Sequence, residues 1–128
     1  MNKVPNAVII DPRTSRILGA MREQSMPIRS ASIFNEICSA IEAAAANYEV
    51  ERIESLKVYG QKDEAGELIV RENGAIDLAD TDGFVNRINS FLSGTFDIPS
   101  LSIQEMGDRI SVSPLDLDFL LVNSLLLP

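Results

Sequence analysis

Apolar side chains recur every three or four positions between residues 32 and 48: Ile33, Phe34, Ile37, Cys38, Ile41, Ala44, Ala45 and Tyr48. That spacing sets them on one face of a helix. Ser30 or Ser32 can cap its first turn. A second helix is predicted over 82–92, where Phe84, Val85, Ile88, Phe91 and Leu92 share a face. Asp80 or Thr81 caps it, Asp82 suits its positive end, and Gly94 can close it.

Before, between and after these helices the pattern predicts three hairpins. Residues 7–10 and 16–21 are apolar in succession, as in strands covered on both faces, and Asp11-Pro12 between them suits a type I turn. Residues 54–59 carry Leu56 and Val58 on one face and pair with 67–71 across a polar link. Residues 101–106 and 109–113 flank Gly107-Asp108, which fits a type II′ turn pairing Ile103 with Val112. Asn73-Gly74 marks a further turn. The predicted architecture is α+β, a single domain of ββα-ββα-ββ order with a mainly antiparallel sheet.

The C-terminal tail adds an apolar segment. Ser113 as cap, Pro114 at the first helical position and Asp116 in the first turn predict a short helix. Alternation of Leu115, Leu117 and Phe119 with two aspartates reads alternatively as a strand. On a helix, Leu117, Leu120, Leu121 and Leu125 make one stripe, which leaves Phe119, Val122 and Leu126 outside it. Phe119, Leu120, Val122 and Leu126 are therefore the candidate surface for a second copy or a partner protein.

Charge narrows the range of partners. The chain has 128 residues, 19 acidic and 11 basic, for a net charge of −8. Its Lys and Arg residues are scattered, so no cluster releases counterions from a phosphate backbone. Neither nucleic acid nor membrane is an expected partner, and no apolar run reaches the ~20 residues of a membrane span. One cysteine, Cys38, forms no intrachain disulfide, and the N-terminus shows no apolar leader. Both suit a cytoplasmic location.

The chemistry available is limited. The sequence has no histidine and no tryptophan. Ser-His-Asp and Cys-His constellations, and histidine-ligated metal sites, cannot form. Cys38 falls on the core face of the first helix. Asp77-Leu78-Ala79-Asp80-Thr81-Asp82-Gly83 looks like part of a calcium loop, yet Leu78 and Asn89 stand where ligands belong. Helix capping accounts for those aspartates. No cofactor is expected.

Asp11-Pro12-Arg13-Thr14-Ser15 is the one further constellation. It resembles the first phosphate loop of the actin-like ATPases, Asp-x-Gly-Thr-Thr/Ser, with Arg13 standing where the glycine lets backbone approach phosphate. Asp11, Arg13 and Thr14 form a candidate small-molecule, nucleotide or divalent-metal turn. The leading expectation is a non-enzymatic protein-binding or assembly module, acting as a homo-oligomer or as an adaptor, chaperone or inhibitor. The alternative is a ligand-binding domain, with carboxylate-metal hydrolysis as its chemistry, centred on Asp11.

Overall fold

The computed structural model describes every residue, Met1–Pro128. It is rich in helix and overturns the three predicted hairpins. Helices α1 (Pro12–Arg22), α2 (Ile28–Tyr59), α3 (Thr81–Leu92) and α4 (Pro114–Val122) are joined by one antiparallel strand pair, β1 (Asn2–Pro5) with β2 (Thr95–Ile98). The register runs from Asn2 opposite Ile98 to Pro5 opposite Thr95. Neither strand belongs to a predicted hairpin.

Each correction has a local cause. Asp11-Pro12 is a helix start rather than a turn: the Asp11 carboxylate accepts the Arg13 N–H at 2.9 Å, and Pro12 fills the first helical position. The run after it buries Thr14, Ile17, Leu18 and Met21, a three-four spacing that continuous apolarity disguised. Residues 7–10 form a 3-10 turn over Asn6–Ile9 and the step into α1. Residues 101–113 hold a short 3-10 turn over Gln104–Met106 instead of a ladder, although Gly107 does adopt the left-handed φ of 82°.

The first predicted helix is real but twice as long. α2 spans 32 residues, about 48 Å at 1.5 Å per residue. It runs through residues 54–59, where Leu56 and Val58 suggested a strand; Leu56 is half-buried and Val58 is exposed. The ion pairs Glu49–Arg52 and Glu54–Lys57, three residues apart, line its outer face. α3 begins one residue before the predicted start, with the Asp80 carboxylate accepting the Gly83 N–H at 2.9 Å. α4 has the expected cap, with the Asp116 N–H donating to Ser113 Oγ at 3.2 Å.

The core sits at one end of α2. Phe34 and Ile37 meet Ile17 and Met21 of α1, Val4 and Ile98 of the strand pair, and Leu120 and Leu125 of the tail. The far half of α2 instead carries α3 and the segment between them. There Tyr48 packs on Phe91 with centroids 5.9 Å apart, and Glu51 accepts from Arg87 at 2.7 Å. α3 has no buried residue. No helix is long and apolar enough to cross a membrane.

Candidate interaction surface

α4 divides its side chains between core and solvent. Phe119 and Leu120 turn inward, and Leu120 is wholly buried. The chain then reverses at Ser124, whose φ is 60°, and lays Leu125 and Leu126 into the core. Backbone bonds fix this return. Leu127 N–H donates to Leu101 O at 2.9 Å and Ile103 N–H donates to Leu127 O at 3.0 Å. Of the four predicted surface residues, Phe119, Leu120 and Leu126 are thus part of this chain's own core. Only Val122, 73% exposed, faces water.

A residue outside the predicted set joins it. Leu115 is 84% exposed. Leu115, Asp118 and Val122 are spaced three and four apart, so they share the outer face of α4. The helical reading of the tail contained this signal: the stripe of Leu117, Leu120 and Leu121, of which Leu120 is buried and the other two half-buried, turns Leu115 and Val122 to solvent.

Arginines of α1 border that face in a shallow depression of about 420 Å³. Arg16 makes two bonds to Asp116, at 3.1 and 3.2 Å. Arg13 makes a fork with Asp11, closest at 2.7 Å, and lies 4.3 Å from the centroid of the Phe119 ring. The Arg16 hydrogen bond holds the Asp116 carboxyl below its ordinary range, and the Arg13 side chain does the same for Asp11. A lowered carboxylate keeps its partner above its unfolded pKa and loses it as pH falls through the folded value. We expect the Asp116 carboxyl to titrate below 3.8 by NMR and to return towards that value in Arg16→Gln. An unchanged midpoint in the variant would show the ion pair to be absent in solution.

The structure does bring Asp11, Arg13 and Thr14 together, at the start of α1, but each is already engaged. Asp11 caps the helix and pairs with Arg13. Thr14 is buried, its hydroxyl donating to Val8 O at 2.7 Å. No three His, Cys, Asp or Glu side chains converge on one point. Asp77 pairs with Arg71, and Asp80 caps α3, so the calcium-like run serves local structure. Cys38 is buried, and burial raises its thiol pKa, away from the reactive thiolate.

No family model, curated protein or solved structure matches the chain.

Proposed function

We propose that this chain is a non-enzymatic protein-binding module and that α4 presents its partner-facing surface. One observation carries the reading: Leu115 and Val122, two large aliphatic side chains on one helix face, stand 84% and 73% exposed. Neither helps to hold the fold. Each would gain about 1.5–3 kcal/mol on full burial. The neighbouring arginines are paired within the chain, Arg16 with Asp116 and Arg13 with Asp11, so the face offered to a partner is Leu115 and Val122 with the exposed Asp118 between them. Histidine is absent, and the only thiol is buried.

The test is native co-isolation with the wild-type chain and with Leu115→Lys, Val122→Lys. Both side chains already lie in water, so the double variant keeps the wild-type melting temperature. Losing two such burials weakens a genuine partner at least about tenfold, since 1.4 kcal/mol is one decade. A partner held equally by both proteins would remove this face from the binding surface.

A further inference from the structure

The segment that joins α2 to α3 is the most polar-looking stretch of the chain, yet it forms a ribbon with an open edge. Gly60 bridges Leu78, and Lys62 bridges Leu68, both antiparallel. Gln61 N–H donates to Asp77 O, Ile69 N–H to Gln61 O and Asp63 N–H to Glu67 O, each at 2.9 Å. Tyr59, Gln61 and Asp63 make all of these bonds, so residues 59–63 pair along one edge, first with 77–79 and then with 67–69, whose far side is open. On the outer edge, the N–H groups of Leu68 and Val70 donate to no backbone carbonyl.

Exposed edges are usually blunted by lysine, proline or a bulge. Glu67-Leu68-Ile69-Val70-Arg71 contains neither lysine nor proline. Ile69 is 44% exposed and Val70 is 56% exposed.

We infer that this edge pairs antiparallel with the same edge of a second copy, about a two-fold axis at Ile69. Three features of the segment agree on that register. The first is hydrogen bonding. In an antiparallel pair, directly opposed residues alternate between those that exchange both bonds and those that exchange none. Ile69 opposite its own copy is a non-bonded pair, because its N–H already points inward to Gln61. Leu68 opposite the second copy's Val70 is then a bonded pair, and these are the two residues with free N–H groups. The second is side-chain alternation. Leu68 and Val70 share one face and meet as Leu–Val pairs, while the two Ile69 side chains meet on the other. The third is charge. The same register sets Glu67 opposite Arg71 of the second copy, twice. Glu67 has no cation of its own chain within ion-pair reach. Arg71 binds Asp77 through Nε and Nη2 and keeps Nη1 for a second carboxylate. A one-residue slip would destroy all three agreements together.

The contact is isologous, so every favourable pair occurs twice. It lies across the molecule's other half from α4 and does not depend on the binding role proposed for that helix. Its area is small, and the association is of the weak class below about 1,200 Å². A net charge of −8 on each copy opposes association of any kind, so the local Glu67–Arg71 pairs and edge bonds must outweigh it and the dimer should tighten as salt screens that repulsion.

The experiment is sedimentation from about 10 μM to 1 mM, a span covering weak transient dimers. The wild-type mass rises from 14.0 kDa towards twice that value. Glu67→Arg faces Arg71 with arginine and stays at monomer mass; Arg71→Glu faces Glu67 with glutamate and does the same. Mixing the two variants restores association, because each arginine again meets a glutamate, and so does placing both changes in one chain. Should Arg71→Glu disturb its own ribbon through Asp77, Val70→Pro gives a second reading, since it removes a free N–H and abolishes the dimer. Slower exchange of the Leu68 and Val70 amides at high concentration supports the same register. A wild-type chain at monomer mass throughout would overturn the inference. So would dimerisation that survives Glu67→Arg and Val70→Pro, since association would then lie elsewhere on the chain.

Discussion

Replacing Leu120 by alanine is expected to destabilise the chain by about 2–5 kcal/mol, the range for removing a large aliphatic side chain from a closed core. Leu120 is wholly buried, and it sits where α4 meets α1, the strand pair and the returning tail. A domain's entire stability is about 5–15 kcal/mol, so a single truncation here removes a large share. For a chain of this size the melting temperature should fall by roughly 8–20 °C. Val122→Ala, half a turn away on the solvent side, should change stability by less than about 0.5 kcal/mol. Thermal melts of the two variants measure the comparison directly. Equal losses would mean that Val122 is covered in solution, by the chain itself or by another copy.

The same contrast decides how the tail should be probed. Cutting the chain after Asp118 removes Phe119, Leu120, Leu125 and Leu126, all buried. An altered mass or a lost partner after that cut would report a broken core rather than a broken interface. Point changes at Leu115 and Val122 separate the two roles, because both residues leave the core intact.

The tail illustrates how far the sequence could be read. Its helix, its serine cap and its proline start were all legible, because capping is a local interaction written in adjacent residues. Which apolar residues the core would take was not. A single helical stripe assigns Phe119 and Leu126 to the outside. The turn at Ser124 and the bonds to Leu101 and Ile103 bring Leu126 back in, and those bonds join residues more than twenty positions apart. Phe119 is covered partly by Arg13 of α1, another distant partner. The hairpins failed for a related reason. Asp11-Pro12 serves equally as a turn or as a helix start, and only the packing of Thr14, Ile17, Leu18 and Met21 on one face selects the helix. Leu56 and Val58 likewise alternate like a strand, but Tyr48 on Phe91 and Glu51 on Arg87 hold the far half of α2 against α3. The actual strands are four residues each, and paired residues lie ninety or more positions apart, with only Val4 and Ile98 buried. Alternation that short carries little signal. Asp11, Arg13 and Thr14 do lie together at the start of α1, where capping, ion pairing and the Val8 carbonyl engage them.

Gly60→Ala should produce the second large effect, in the other half of the molecule. Gly60 ends α2 with ordinary extended dihedrals, φ −74° and ψ 157°, so conformational freedom is not what demands glycine there. Space is. A Cβ would lie 2.5 Å from Leu56 O, 2.6 Å from Leu68 Cδ1 and 2.8 Å from Ile76 Cγ2. The side chains can rotate, but Leu56 O is backbone and accepts the Gly60 N–H at 2.8 Å, so the last turn of α2 must open. Overpacking of this kind costs about 1–3 kcal/mol. The damage should stay local, because the main core draws no residue from the ribbon or from α3. Amide exchange is the measurement: protection at Gln61, Ile69 and Ala79 should collapse while Ile37, deep in the core, keeps its own. Loss of protection at Ile37 to the same extent would show that both ends of α2 unfold as one unit. If only the ribbon loosens, its edge is lost with it, and Gly60→Ala should abolish self-association even though Glu67 and Arg71 are unchanged.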